Sequence, residues 1–225
     1  MNKLKPWYQH FIKVWSVIRE NFLYLVCLDF IVGIQLLLGG GFLLLLYWGN
    51  VPWQIVGPIS VAFLLLFDLS FTGVCKNLYA LAAGRGQGKY PVFIVDYLWL
   101  GLPVLMTALL LHATPFLLLV AGISAALATQ FAGWMYFVAA VTTIYLLWQW
   151  RFGLTIPVIL DRKLSVWEAA QQSFVITGKH GGLSLSLVLA DQIIMLIVGL
   201  IPFVGWLLAL DWLFLSCFCY YLDEK

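Results

Sequence analysis

Residues 116–132, Phe116-Leu117-Leu118-Leu119-Val120-Ala121-Gly122-Ile123-Ser124-Ala125-Ala126-Leu127-Ala128-Thr129-Gln130-Phe131-Ala132, decide the fold of this chain. They follow Pro115 and are apolar nearly throughout. Whether they cross a membrane sets the topology. Longer apolar stretches surround them, from about Phe22 to Trp48, Trp53 to Leu81, Val92 to Leu111, Trp134 to Leu160, Leu183 to Ile201 and Trp206 to Leu222. Each of these is long enough to span a bilayer as a helix, which takes about 17–25 residues. If 116–132 also crosses, there are seven spans, and Arg162, Lys163 and Lys179 fall opposite Lys3, Lys13, Arg85 and Lys89. If it does not, there are six, and the outer loops near Asn50, His112–Gly133 and Pro202 contain no Lys or Arg. The positive-inside rule favours six spans with both termini cytoplasmic. Residues 116–132 then read as a re-entrant or outer-face helix, its small residues Gly122/Ala126 and Ser124/Ala128 spaced for close helix contact.

Composition agrees. Of 225 residues, 64% are hydrophobic and 10% charged, against about 45–50% and 25% in soluble domains. Lipid can solvate that much apolar surface; a soluble fold of this size has nowhere to hide it. Eleven Trp and ten Tyr suit many crossings of the membrane–water interface. A net charge of +2 without basic runs argues against nucleic acid. The expected fold class is therefore all-α, a polytopic transmembrane bundle forming one domain over 1–225.

Two amphipathic helices are expected at the inner surface. Trp7, Phe11, Val14, Trp15, Ile18 and Phe22 share an arc opposite Lys5, Gln9, Lys13, Ser16 and Glu20. Lys3, Lys5, Lys13, Arg19 and Glu20 interrupt any apolar core, so these residues do not read as a secretory signal. The second helix starts at Ser165, where Ser165 and Glu168 make an S-x-x-E capping box, with Trp167, Ala170 and Phe174 on one face. A surface helix followed by two spans occurs over 7–81 and again over 165–222, which suggests a parallel internal repeat. Asp29 and Asp191 then correspond, as do Asp68 and Asp211.

Those aspartates are the least expected residues. Asp29, Asp68, Asp96, Asp191 and Asp211 all lie in apolar spans, where an ionisable group costs about 2.5–3.5 kcal/mol at the centre. Counting along each span at roughly 1.5 Å per residue puts Asp29 and Asp96 near the inner face and Asp211 near the outer. Asp68 and Asp191 fall deepest. They read either as a polar path for protons or cations or as hydrogen-bonded packing groups, with Lys76 and Arg151 as candidate counter-charges; packing is the favoured reading. Cys27, Cys75, Cys217 and Cys219 lack metal or redox spacing, and His10, His112 and His180 read as interfacial polar surface. No hydrolase, protease or phosphate-loop motif is present: Gly84-Arg85-Gly86-Gln87-Gly88 has no G-K-[ST] ending. No catalytic residue, metal site or cofactor is expected.

The stretch Pro157-Val158-Ile159-Leu160-Asp161-Arg162-Lys163-Leu164-Ser165-Val166-Trp167-Glu168-Ala169-Ala170, with Ser173-Phe174, resembles bacterial membrane proteins related to the membrane domain of some glycerophosphodiester phosphodiesterases. The turn Ile201-Pro202-Phe203-Val204-Gly205-Trp206 and the region from Gly73 to Gly86 are also similar. The resemblance implies a bacterial inner-membrane protein of about six helices without an attached catalytic domain, and it transfers no site residues. Expected partners are membrane lipid and a protein partner or second copy. The favoured function is a non-catalytic scaffold or accessory protein. The alternative is a small proton- or cation-coupled transporter or channel.

Overall fold

The computed structural model describes residues 6–87, 98–128, 133–179, 181–199 and 204–225, and every regular element among them is helical. In chain order these are α1 (Pro6–Trp48), α2 (Trp53–Ala82), α3 (Leu98–Thr107), a π-helical segment (Ala108–Ala113), α4 (Thr114–Ala128), α5 (Trp134–Phe152), α6 (Thr155–Arg162), α7 (Val166–Lys179), α8 (Gly181–Gly199) and α9 (Val204–Glu224).

The first amphipathic stretch and the first apolar run form one helix, α1, bent at Asn21 (φ −120°, ψ 15°). The Asn21 amide donates to the Val17 carbonyl at 2.8 Å and its oxygen accepts from Gln87 at 2.8 Å. A side chain thus occupies a carbonyl that the helix would otherwise use, a recognised cause of bending. The apolar arc divides at this bend. Val14 and Ile18 are buried on α9, whereas Trp15 and Phe22 stay exposed.

α1 and α2 pair as an antiparallel hairpin, pinned by Gln35 donating to Ser70 at 2.7 Å. From Asp68 to Ala82, α2 is almost continuously buried. Towards the hairpin tip, Leu37, Phe42, Leu45, Leu64 and Leu66 are exposed. α1 and α2 are each long and apolar enough to cross a membrane, and their most apolar windows are only 12% and 17% buried. The core helix of a soluble protein would bury such a window, so both helices point to membrane association. Shorter apolar helical stretches cover Leu100–Leu110 and Gly181–Met195.

Residues 116–128 depart from expectation, and 129–132 lie outside the described residues. There is no separate helix after Pro115: the backbone is helical without a break from Leu98 through the π-helical segment to Ala128. The π-helical segment ends just before Pro115, and the helix runs on past the proline; such bulges commonly mark a local interruption of the hydrogen-bond ladder. α4 leads away from α3 and pairs with α5.

The packed core lies where α1, α2, α6, α8 and α9 meet, around Leu25, Leu28, Leu78, Ile159, Leu215 and Phe218. α5 and α6 are nearly continuous, interrupted at Gly153-Leu154; a Cβ at Gly153 would stand 2.7 Å from the Gln149 carbonyl oxygen. Ser173 of α7 fills this interruption, accepting from Leu154 N–H at 3.2 Å and donating to the Arg151 carbonyl at 2.8 Å. α7 begins with the expected capping box: Glu168 accepts from Ser165 N–H at 3.1 Å and from its hydroxyl at 2.7 Å. Those two bonds hold the Glu168 carboxyl below its ordinary range.

Ser173→Ala leaves a buried amide and a carbonyl unpartnered at the α5–α6 break. It is expected to lower stability by about 1–3 kcal/mol, read as a lower unfolding temperature in detergent. An unchanged temperature would show the break to be held by packing alone.

Candidate functional site: the acids inside the bundle

Asp191 sits on α8 and is 4% exposed. α9 covers it with Trp212 and Ser216, one turn apart and so on one face. Trp212 Nε1 donates to Oδ1 at 2.8 Å and Ser216 Oγ donates to Oδ2 at 2.6 Å. Ser216 in turn accepts from His10 Nε2 of α1 at 2.9 Å, which assigns the ring proton to that nitrogen. Phe11 stacks on Trp212 with ring centres 5.7 Å apart. The result is a hydrogen-bonded line, His10–Ser216–Asp191, joining three helices. His10 is therefore not polar surface, as its place near the chain start suggests; it is 6% exposed and part of this line.

Asp29 of α1 and Asp211 of α9 are neighbours in the bundle. Two carboxyls can share a hydrogen bond only when one of them carries a proton. One oxygen of each, Oδ2, has no partner within the bundle. This pairing corrects the depths expected for the two acids. α1 continues from Asp29 to Trp48, whereas α9 begins at Val204, only seven residues before Asp211. The hairpins differ in reach, so distance from the end of an apolar run does not measure a common depth.

Asp68, 2% exposed on α2, faces α3. Its neighbour there is Gly101, where a Cβ would come within 2.5 Å of Oδ2. The missing side chain makes room for the carboxyl. Asp68 Oδ1 and the hydroxyl of Thr72, one turn along, make no hydrogen bond within the bundle. Asp68 and Asp191 are not brought together: a cavity of about 40 Å³ borders Asp191, walled by Gln149, Leu187, Gln192, Leu213 and Tyr220 among others, and Asp68 is not in its wall. That volume admits a few waters. Asp96 lies outside the described residues.

Arg151, read as a counter-charge, has no ion pair with Asp29, Asp68, Asp191 or Asp211. Its guanidinium lies over the Trp150 and Phe174 rings, 3.8 and 4.3 Å from their centres, a cation–π arrangement. No group of three metal-ligating His, Cys, Asp or Glu occurs among the described residues.

A further acid was legible only as part of a charged turn. Asp161, at the end of α6, accepts from Tyr79 of α2 at 2.9 Å, Tyr221 of α9 at 2.8 Å and Lys225 at 2.8 Å. Partial burial pushes its carboxyl up, and the Lys225, Tyr221 and Tyr79 bonds outweigh that and hold it below the ordinary range. Two tyrosines so far apart in sequence, on α2 and α9, gave no signal of a common partner.

Comparison of the chain with protein-family models, curated proteins and solved structures finds no match.

Because the folded carboxyl of Asp161 titrates lower than in the unfolded chain, its contribution is present above the unfolded value, near 3.9. It is lost as pH falls through the lower folded one. Asp161→Asn is expected to cost about 1.5–3 kcal/mol at neutral pH, with the gap from the native protein closing in strong acid. A gap independent of pH would show that the charge contributes nothing.

Proposed function

We propose that this chain is an integral membrane protein of six spans, with both termini cytoplasmic, that acts as a non-catalytic scaffold or accessory protein. In this reading α1, α2, α8 and α9 each cross once. The unbroken run Leu98–Ala128 crosses outward as one span and α5–α6 returns. Residues 116–128 then belong to the third crossing rather than to a re-entrant helix, and the count stays at six. Arg85, Arg162, Lys163, Lys179 and Lys225 fall on one side, in keeping with the positive-inside rule. The resemblance to phosphodiesterase-linked membrane domains adds the bacterial inner membrane to this proposal.

The observation that carries it is how the acids are used. Asp191 has both oxygens occupied by α9, Asp68 is seated against Gly101, and the cavity that borders Asp191 does not reach Asp68. Asp191, satisfied within the bundle, fixes packing as buried polar groups do, and Asp68, with Oδ1 unpartnered, is held apart from it by its seat against Gly101. A second reading, a small proton- or cation-coupled transporter or channel, draws on Asp29 and Asp211, whose facing carboxyls each keep one unpartnered oxygen.

Proton and cation flux in liposomes separates the two. Native protein is expected to give no flux above empty liposomes, and Asp68→Asn/Asp191→Asn to be less heat-stable without altering that baseline. Flux that is lost in a folded Asp29→Asn/Asp211→Asn variant would establish the transporter instead. For topology, single cysteines in a cysteine-free background are expected to label from outside at Asn50 and only after permeabilisation at Arg85 and Lys163. External labelling at Lys163 would overturn six spans.

A further inference from the structure

α7 has three faces. At about 100° per residue, Ala169, Ala170, Ser173 and Thr177 share one arc and are buried against the bundle. Trp167 and Phe174 share a second and are exposed by 72% and 48%. Gln171, Gln172, Val175, Ile176 and Lys179 form a third, and Arg162, at the end of α6, joins them to line a groove of about 340 Å³. Arg162 Nη1 donates to Gln172 Oε1 at 2.6 Å, which orients the guanidinium along the groove. Lys163, on the connecting turn, is also exposed.

A helix anchored by small residues has no structural need for a large exposed aromatic arc beside a basic one. At the inner boundary of a membrane both arcs have a use: aromatic rings settle among the upper acyl carbons and cations meet phosphate. The groove adds shape to this. Its lining brings together a guanidinium, an ammonium, two carboxamides as neutral hydrogen-bonding groups, and the apolar Val175 and Ile176. A phosphodiester with an attached apolar chain matches those groups; a simple anion would use only the cations.

We propose that the α6–α7 groove binds the headgroup of an anionic phospholipid, with Arg162 and Lys179 on the phosphate and an acyl chain along Trp167 and Phe174. The proposal rests on the membrane reading above and names a lipid class for it. Arg151 takes no part, since its guanidinium is already stacked between Trp150 and Phe174.

The test uses the full-length protein in detergent, titrated with phosphatidylglycerol, phosphatidylcholine or soluble glycerol 3-phosphate while thermal unfolding is followed. Phosphatidylglycerol is expected to stabilise at lower concentration than phosphatidylcholine. In Arg162→Gln/Lys179→Gln the phosphatidylglycerol midpoint should rise about tenfold or more, with the phosphatidylcholine response unchanged. Trp167→Ala should weaken the response to both lipids, since it removes the acyl-chain contact and leaves the cations. Equal response of the native protein to the two lipids, or an unshifted midpoint in the double variant, would overturn the proposal. So would stabilisation by glycerol 3-phosphate matching that by lipid, which would make the groove a site for a soluble phosphate ester. Retention of the protein in carbonate-washed membranes is measured alongside: release would sink the membrane reading itself, whereas retention with no lipid preference sinks only the groove.

Discussion

A backbone surrounded by lipid has to satisfy its own amides and carbonyls, because each one left open costs several kcal/mol with no water to take it. For a chain read as crossing a membrane, much of the structure follows from that constraint. Wherever apolar side chains point outward, as along the tips of α1, α2, α4 and α5, the chain is helical. Interruptions fall elsewhere or are repaired. The α5–α6 break is closed by a hydroxyl from α7, the bend in α1 is covered by its own asparagine, and the helix continues past Pro115 just after a π-helical segment. Ser173 also explains why α7 lies where it does, since a helix that completes another helix's hydrogen bonding cannot drift along it.

Within that frame, polar side chains select which helices meet. Apolar surface in lipid gives little preference between partners, so packing and interhelical hydrogen bonds choose them. Asp161 ties α2, α6 and α9 together with two phenols and an ammonium; His10, Ser216 and Asp191 tie α1, α9 and α8. α9 takes part in both, and also carries Asp211 against Asp29 of α1. It is the central helix of the packed region, which accounts for the dense burial from Leu215 to Tyr221.

How much of this was legible depended on whether the signal was local. The capping box at Ser165 and Glu168 is written within four residues, and the helix begins there. All-helical architecture was written in composition. The continuity through Pro115 was not, because a proline after a polar-flanked turn reads as a stop and only the α4–α5 pairing shows the helix continuing. Nor were the acid partners. Asp191 and His10 are joined through a serine more than two hundred residues from the histidine, and no periodicity records such a distance. The α7 faces were half legible: Trp167 and Phe174 do share an exposed arc, but Ala170 belongs to the buried one, since a small residue is chosen for close approach as readily as for apolarity.

The suggested repeat sharpens what the acids have in common. Phe71 and Phe214, at equivalent positions, meet edge to face at 6.0 Å. Under an exchange of the two units, the pairing of Asp29 with Asp211 would require Asp191 to face Asp68. It does not; Asp191 is met by Trp212 and Ser216 of its own hairpin. The departure has a physical reading in the donors available. Asp191 has an indole and a hydroxyl one turn apart on α9, and a carboxylate with two such donors gains nothing by approaching a second acid. Asp29 and Asp211 face each other and can hydrogen-bond only by sharing a proton. The positions that the suggested repeat would equate therefore hold chemically different groups: Asp191 is satisfied, whereas Asp29, Asp211 and Asp68 each keep an unpartnered oxygen, and any proton-linked behaviour of the bundle belongs to those three.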